Sequence, residues 1–353
     1  MLLWYWGRRG GGARILYELA DAMGQRSDVE TVLAVNRNNE LLATIQALGL
    51  PTRVDAIPGA INLPGPGSLG GFARANHVTV AMQVMGHSLS WPAMWSLRRA
   101  RIATIDLVHD ATAHPGDRSM VYDTSTAMAR RLADHLIVQS EHVLAQVRAQ
   151  RGTQFTPATV VLHGPLYAGT TRPNPVPGRV LFAGRIRTYK GLDLLLEAWP
   201  TVRKLHPDAT LMIAGEGDFA PYRAALGAAT GVSVDNRWLS DDELPALVGS
   251  ASLVVLPYRE ASQSGIATIA RSFGVPVVAT NVGGLREQVR DGMDGRVVAP
   301  DPRALADAIS AQLGDNAWSA PTGAQRALGG PSWAEVADAV VSIAAELTAR
   351  PRR

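Results

Sequence analysis

The side chains best suited to chemistry lie in one stretch of the chain, between Val180 and Gly295. Each follows a short apolar run and stands in a glycine-rich or polar turn. They comprise two cations, one carboxylate and a small-residue turn: Arg185, Lys190, Glu260, Ser264 and Gly265. In an open parallel sheet, ligands bind where the carboxyl ends of the strands meet such turns. Cations bind phosphate and a carboxylate accepts hydrogen bonds from hydroxyl groups, so this set suits a nucleotide diphosphate that carries a sugar.

The length and composition of the chain predict a globular protein of two domains, since 353 residues exceed the usual size of one. Hydrophobic residues make up 46% and charged residues 18%, which is ample for a core. The 34 Lys and Arg outnumber the 31 Asp and Glu and give a net charge of +3. This mildly basic balance suits anionic small molecules or a membrane surface, and it is too weak to indicate nucleic-acid binding. Because the chain has no cysteine, disulfides and thiol catalysis are excluded.

The N-terminal residues, MLLWYWGRRGGG, are apolar first and basic afterwards. A signal peptide has the reverse order, so these residues predict a first strand. No apolar run reaches the roughly 18 residues of a membrane span, and we expect a cytoplasmic protein. Tryptophan, methionine and arginine stand together in WPAMWSLRRAR. This segment predicts a helix face packed beneath solvated arginines; a patch for peripheral contact with the inner face of a membrane is the alternative.

The first half of the chain alternates strands with helices. A strand over Leu2–Trp6, a glycine-rich loop over Gly7–Gly12 and a helix over Ala13–Met23 form the layout of a phosphate-binding turn. Gly11 and Gly12 are therefore candidate phosphate ligands, with a plain strand-to-helix turn as the alternative. Further elements of this half are strands at residues 32–35, 78–84, 102–108, 136–139 and 160–164, and loops at 51–71.

A histidine follows one of these strands. The strand at 102–108 delivers His109 to its carboxyl end, where sites form in α/β sheets. A contact with substrate and a purely structural role are both open for this side chain. His114 and Arg118 follow in the next loop and could reach an acceptor.

A proline- and glycine-rich segment, PLYAGTTRPNPVPGR, separates this half from a second alternation of strands and helices. The strands of the second half are predicted at residues 180–183, 210–214, 232–234, 253–257, 277–280 and 296–298. The segment SWAEVADAVVSIAAELTAR predicts an amphipathic helix that docks across both domains. The pattern therefore indicates two doubly wound α/β halves and a C-terminal helix.

Several motifs of the second half, taken in order, resemble one family. GRIRTYKGLDLLLEA, SASLVVLPYREASQSG and PVVATNVGGLREQVRDGMDGRVV resemble the donor-site region of the retaining glycosyltransferases of family 4, or glycosyl transferases group 1. The resemblance is close from Val180 to Gly295 and extends to the N-terminal half only in pattern. It implies the GT-B fold: two Rossmann-like doubly wound domains that face a central cleft, with a C-terminal helix crossing back.

The resemblance also implies a domain organisation and a reaction. An N-terminal acceptor domain is expected at residues 1–165, a linker at 166–178, a donor domain at 179–330 and a C-terminal helix packing back toward the N-terminal domain at 331–353. The implied activity is a retaining hexosyltransferase in polysaccharide biosynthesis. It would use a UDP- or GDP-sugar as donor substrate, a sugar or lipid-linked acceptor, and no permanently bound cofactor. No D-x-D motif occurs, so no metal is expected to carry the diphosphate.

The resemblance assigns roles to single residues. His109 would contact sugar or acceptor, Arg185 and Lys190 would stabilise the leaving diphosphate, and Glu260 would bind hydroxyls of the donor sugar. The expected nucleotide contacts in the second half are Gly184, Trp238, Leu239, Ser264, Gly265, Ile266 and Thr268. Trp238 would border the base, with a place in the core as the alternative.

The chain departs from the family pattern at one position. The family commonly has two glutamates separated by seven residues, and the second holds the ribose. Counting from Glu260, this position falls at Thr268 or Ile269, which leaves the nucleotide preference open. Two alternatives to a transferase stay open: a nucleotide-sugar epimerase on the same fold, and a non-catalytic subunit that binds nucleotide sugars, which the missing second glutamate favours.

Overall fold

The computed structural model describes residues 1–55, 68–112, 119–167, 170–314 and 330–349. His114 and Arg118 lie outside these described residues. The chain divides into two compact units. Of the described residues, unit 1 contains those through Gly164 and those from Gly330, and unit 2 contains those from Pro165 through Gly314. The proline-rich segment thus belongs to unit 2.

The described part of unit 1 forms a parallel sheet flanked by helices. Its strands are β1 (Leu2–Tyr5), β2 (Val32–Asn36), β3 (Thr52–Asp55), β4 (Val80–Gln83), β5 (Ala103–Val108), β6 (His135–Val138) and β7 (Ala158–Val160). The helices among them are α1 (Gly11–Gly24), α2 (Leu42–Gln46), α3 (Leu69–Ala75), α4 (Ser90–Arg99), α5 (Met120–Leu132) and α6 (Glu141–Ala149). The strand order is β3-β2-β1-β4-β5-β6-β7. The central strands are buried along their whole length, as expected where helices cover both faces.

Unit 2 repeats this plan. Its described strands are β8 (Arg179–Ala183), β9 (Thr210–Ala214), β10 (Val232–Asp235), β11 (Leu253–Leu256), β12 (Val277–Thr280) and β13 (Gly295–Val298). They are parallel, in the order β10-β9-β8-β11-β12-β13. The helices are α7 (Leu192–Leu205), α8 (Arg223–Ala228), α9 (Glu243–Gly249), α10 (Gly265–Ser272), α11 (Leu285–Gln288) and α12 (Pro302–Gly314).

The C-terminal helix α13 (Trp333–Ala349) returns to unit 1 and packs on α1. Its buried face is apolar, which explains why the amphipathic pattern predicts this helix. The ring of Trp333 stacks on His163 with centroids 6.3 Å apart. An ion pair between Arg26 and Asp338 lies at the margin of the same contact.

Two elements differ from the sequence prediction. The segment predicted as loops at residues 51–71 contains the edge strand β3 and the start of α3. In β3 only Asp55 is buried, so no apolar alternation marks the strand, and Asp55 is paired with Arg53. The last strand of unit 1 ends at Val160, before most of the predicted range 160–164.

Both sheets reverse their strand order at one place, between β1 and β4 in unit 1 and between β8 and β11 in unit 2. Ligands of doubly wound sheets bind at this switch point, beyond the carboxyl ends of the strands. In unit 2 the loops that leave β8 and β11 approach closely at Gly191. Its φ is 65°, and an added Cβ would lie 1.9 Å from the carbonyl oxygen of Pro257. Glycine at this position therefore brings the two loops together.

Candidate functional site

Lys190 stands at the switch point of unit 2. It ends a short 3-10 turn, Thr188–Lys190, in the loop after β8. Its Nζ donates a hydrogen bond to the hydroxyl of Tyr258, 2.9 Å away, in the loop after β11. Tyr258 is 1% exposed. The structure thus joins the two loops that flank the switch point through an ammonium and a phenol.

The neighbours of Lys190 stabilise its positive charge. Burial would lower the pKa of this ammonium, but Tyr258 and Tyr189 outweigh burial and raise the pKa above its ordinary value. The ammonium also lies 4.4 Å from the ring centroid of Tyr258, a cation–π distance. Arg185 acts in the opposite direction on this pKa, which places a second cation nearby. Lys190 therefore remains charged at neutral pH beside an exposed guanidinium.

The N-terminus of α10 adjoins this cation. Ser264 is the N-cap residue, and its Oγ lies 3.3 Å from the hydroxyl of Tyr258. A Cβ added to Gly184 would lie 3.6 Å from Nζ of Lys190 and 3.9 Å from Cγ1 of Ile266. Gly184, Lys190 and the first turn of α10 thus surround one space. N–H groups at a helix N-terminus point outward and attract anions, as the ammonium does.

A glutamine fixes the backbone of this N-cap. The Oε1 of Gln288 accepts the N–H of Ser264 at 2.6 Å, and its Nε2 donates to the carbonyl of Ser264 at 3.4 Å. Gln288 ends α11, which follows β12. Ser264 is therefore held at its backbone by α11 and at its hydroxyl by Tyr258.

In the family pattern two glutamates occur, and the corresponding positions here are Glu260 and Thr268 or Ile269. These positions lie in different surroundings. Glu260 is exposed in the loop between Tyr258 and Ser264. Thr268 is 1% exposed, and its hydroxyl donates to the carbonyl oxygen of Ser264 at 3.4 Å. The Thr268 hydroxyl is thus already engaged within α10, while the next residue, Ile269, is buried.

The predicted base contacts lie in the loop after β10. Trp238 is half-buried and Leu239 is buried. Beside this loop is a cavity of about 340 Å³ lined by Gly217, Asp218, Phe219, Ala220, Arg223, Leu226 and Asn236. Gly217 bridges to Ile186, next to Arg185, so the cavity adjoins the loop after β8. Its volume is at the lower end of the range for small-molecule sites.

The glycine-rich turn of unit 1 is explained in part by packing. An added Cβ at Gly12 would lie 2.7 Å from the ring of Tyr5, whereas at Gly11 it would meet nothing within 4 Å. The N–H of Gly10 donates to a carboxylate oxygen of Glu40 at 2.5 Å. A protein carboxylate therefore already lies at the N-terminus of α1, which favours the structural interpretation of this turn.

His109 follows β5 and is half-buried. Its Nδ1 lies 2.8 Å from Oδ2 of Asp110, which orients the ring. Arg130 donates to the carbonyl oxygen of Asp110 at 3.1 Å. Burial, followed by the charges of Asp110 and Asp106, raises the pKa of Tyr122 to about 12. These groups form a polar cluster at the carboxyl edge of unit 1.

A buried carboxylate supports this cluster from within the sheet. Asp106 is 3% exposed and accepts a hydrogen bond from Nε2 of Gln83 at 2.9 Å. Burial raises its pKa to about 6, against the opposing effects of Arg130 and Gln83. The buried Nε of Arg130 and Oε1 of Gln83 lack hydrogen-bond partners within the described chain.

Sequence reasoning missed Tyr258 and Gln288. Tyr258 stands two residues beyond β11, the strand-end position at which ligand-contacting residues collect, so its place in the pattern was a usable signal. Gln288 carried no such signal, because it lies 24 residues from Ser264 along the chain and meets it only in the fold.

No helix in the described ranges has the length and hydropathy needed to cross a bilayer. Within the same ranges, no three His, Asp or Glu side chains converge as ligands of a metal ion.

Two parallel doubly wound units are the arrangement of the GT-B fold. Residues 177–315 match the family model described as glycosyl transferases group 1, and the resemblance seen in the motifs is confirmed. The chain is 32% identical over 204 residues to the glycogen synthase of Mycobacterium tuberculosis, covering 56% of this chain and 48% of that protein. It is 27% identical over 301 residues to the D-inositol 3-phosphate glycosyltransferase of Corynebacterium urealyticum, covering 76% and 69%. The chain thus spans about half the length of the glycogen synthase.

Solved structures agree on the fold. HepE of Anabaena, crystallised with UDP and glucose, superposes with a TM-score of 0.68 at 17% identity and covers 98% of this chain and 96% of its own. The sucrose-phosphate synthase of Thermosynechococcus elongatus has a TM-score of 0.66 at 18% identity, with the same coverage. At these identities the likeness establishes the fold alone, and it confirms the two Rossmann-like domains of the GT-B class.

Proposed function

We propose that the protein is a retaining, metal-independent hexosyltransferase. It transfers a sugar from a UDP- or GDP-sugar to a hydroxyl of a glycan, a lipid-linked glycan or a small molecule in the cytoplasm. The observation that carries the proposal is the contact of Lys190 with Tyr258 at the switch point of unit 2, beside the N-terminus of α10. An ammonium and a helix N-terminus around one glycine, Gly184, suit a diphosphate.

The chemistry follows from where charge develops. When the bond between the anomeric carbon and the phosphate oxygen breaks, negative charge grows on the departing diphosphate. Lys190 and Arg185 stabilise that charge. The departing phosphate oxygen takes the proton of the acceptor hydroxyl, whose oxygen bonds to the same face of the sugar. This path needs no carboxylate pair of the retaining-glycosidase type.

The cations take the part that a metal ion plays in other transferases. We therefore expect EDTA to leave the initial rate within about twofold. A rate that EDTA abolishes and magnesium or manganese restores would contradict the metal-independent mechanism.

We assign the nucleoside to the cavity lined by Asn236, at the start of the loop that carries Trp238. The cavity adjoins Arg185 through the bridge between Ile186 and Gly217, which suits a ligand that continues from diphosphate to nucleoside. The UDP bound by HepE, a structure of the same fold, supports a uridine nucleotide as the first ligand to test.

The acceptor is assigned to the polar edge of unit 1. His109 oriented by Asp110 can hydrogen-bond a hydroxyl. A cyclic polyol or sugar fits this chemistry. The similarity to the D-inositol 3-phosphate glycosyltransferase supports such an acceptor.

The decisive experiment combines binding with turnover. A thermal-shift screen against UDP, GDP and their monophosphates identifies the nucleotide, because a ligand that binds only the folded state raises the melting temperature. The matching UDP- or GDP-sugar is then incubated with the protein without acceptor.

Slow release of nucleotide diphosphate by the wild type, lost in Lys190→Ala, supports a transferase. An epimerised sugar would identify an epimerase. Tight binding without turnover, even with sugar acceptors, would identify a binding subunit, the alternative favoured by Thr268 at the position of the second glutamate.

A further inference from the structure

The phenol of Tyr258 contacts both groups assigned to the diphosphate. It accepts a hydrogen bond from Nζ of Lys190 at 2.9 Å and lies 3.3 Å from Oγ of Ser264. A single hydroxyl can accept one hydrogen bond and donate another. It can therefore accept from the ammonium and donate to the serine at the same time.

Tyr258 is held firmly enough to set the position of these two groups. Its side chain is 1% exposed, and the hydroxyl of Thr280 donates to its carbonyl oxygen at 2.5 Å. Thr280 ends β12 and is itself fully buried. The phenol thus stands on a backbone fixed to the next strand of the sheet.

Lys190 keeps the capacity to bind a ligand. An ammonium has three N–H donors, and Tyr258 takes one of them. Without the phenol, the flexible lysine side chain would be free to turn away from Gly184, and ordering it on binding would cost conformational entropy.

We propose that Tyr258 is a positioning residue that makes the site select nucleoside diphosphates over monophosphates. The proposal rests on the function proposed above. By holding the ammonium of Lys190 and the N-cap of α10 around one space, Tyr258 aligns both groups with the distal phosphate. A monophosphate lacks that phosphate and does not gain from this alignment.

The test compares Tyr258→Phe with Tyr222→Phe by calorimetric titration. Tyr222 is a buried tyrosine of the same unit, 7% exposed, and does not contact Lys190. For Tyr258→Phe we expect the affinity for UDP to fall at least about tenfold while that for UMP changes less than about twofold, because charge-assisted contacts to the distal phosphate are lost. Tyr222→Phe should keep the wild-type ratio of the two affinities. GDP and GMP replace the uridine nucleotides if the screen selects guanosine.

A pH series adds a readout that a purely structural role would not change. Tyr258, Tyr189 and Arg185 act on the pKa of Lys190, and Tyr258 is the strongest influence that raises it. In Tyr258→Phe the UDP affinity should therefore decline at a lower pH than in the wild type.

Ser264→Ala, which leaves the contact between Tyr258 and Lys190, should keep the wild-type pH dependence and lose part of the diphosphate preference. If Tyr258→Phe does not fold, Ser264→Ala with an unchanged preference overturns the inference.

The possible failures are distinguishable. A wild type that binds neither UDP nor GDP overturns the proposed function and this inference with it. A wild type that prefers UDP to UMP, with the same preference in Tyr258→Phe, overturns the inference alone.

Discussion

The two units share a topology but differ in the chemistry of their switch points. In unit 2 the loops beyond β8 and β11 bring a lysine, an arginine and a helix N-terminus together. In unit 1 the corresponding edge carries a phenol, an imidazole, a buried arginine and a buried carboxylate, with Glu40 at the N-terminus of α1. The sheet order fixes where a ligand can bind, and the side chains at the strand ends decide its charge. We therefore expect unit 2 to bind an anion and unit 1 a neutral, hydroxyl-rich molecule.

Each candidate site contains a group with a shifted pKa, half-buried Lys190 in unit 2 and buried Asp106 in unit 1. In unit 2, aromatic neighbours keep the Lys190 ammonium charged for a ligand. In unit 1, burial favours the neutral acid of Asp106, which lies inside the sheet. The first group is a candidate to bind substrate, while the second supports the loop that carries His109.

The largest effect is expected from removing a cation of unit 2. Lys190→Ala or Arg185→Ala should lower turnover on the order of 10²–10³-fold, the range for loss of one group that stabilises developing charge. The matched control is Lys204→Ala, which removes the chain's other lysine from the exposed end of α7. Initial rates and circular dichroism of all three variants check the prediction. Near-normal rates in folded Lys190→Ala and Arg185→Ala would contradict a donor site at the switch point of unit 2.

A smaller and more selective effect is expected at Glu260. If its partner is the transferred sugar, Glu260→Ala should lower donor turnover roughly 10- to 100-fold, the worth of a hydrogen bond to a charged group. Free UDP should bind as tightly as before, as measured by titration calorimetry. Glu197→Ala, at an exposed position of α7, is the control. Loss of UDP binding in Glu260→Ala would instead make Glu260 the ribose ligand.

The carboxylate of unit 1 predicts a pH dependence of stability. The unfolded aspartate has a pKa of about 3.9, whereas Asp106 in the fold has a pKa of about 6. Between these values the folded chain binds a proton that the unfolded chain releases. The contribution of this group is therefore fully present below about pH 4 and is lost as the pH rises through 6. The loss amounts to roughly 3 kcal/mol.

Urea denaturation of the wild type and Asp106→Asn at pH 4 and pH 8 measures this effect. The asparagine should gain stability relative to the wild type as the pH rises, because it cannot ionise. An identical difference in the free energy of unfolding at both pH values would show that the buried carboxylate does not titrate as described.

Strands with a continuous apolar signal were predictable from the sequence. The ranges of β9 and β12 agree residue for residue with the prediction, since each is a largely buried, mostly apolar run bounded by turns. Edge strand β3 was not predictable, because its residues are mostly solvated and carry no apolar pattern. An edge strand is specified by its neighbour, β2, more than by its own composition.

The site shows the same limit. Lys190 could be selected from its motif, but its partner Tyr258 is 68 residues away along the chain. Only the register of β8 on β11 and the glycine at 191 bring these loops together. The roles assigned to Arg185, Glu260, Trp238 and His109 remain predictions that the experiments above address.

The smallest effect is expected where the family pattern is broken, at the ribose. In the usual arrangement a carboxylate accepts hydrogen bonds from the ribose hydroxyls, each worth roughly 1.5–3 kcal/mol. Here Thr268 is buried, and its hydroxyl donates to the carbonyl oxygen of Ser264. A hydroxyl offers fewer acceptor positions than a carboxylate, so the ribose should be held weakly. Donors with 2′-deoxyribose should therefore lose about tenfold or less in kcat/KM.

Two variants separate a weak ribose contact from none. Thr268→Val keeps the shape of the side chain and removes the hydroxyl, and it should change kcat/KM for both donors by less than about threefold. Thr268→Glu restores a carboxylate and should raise the preference for ribose over deoxyribose if the backbone of α10 faces the nucleotide. If the wild type loses much more than tenfold in kcat/KM with the 2′-deoxyribose donor, another group binds the ribose. That group would be a further ligand-binding residue of unit 2, outside α10.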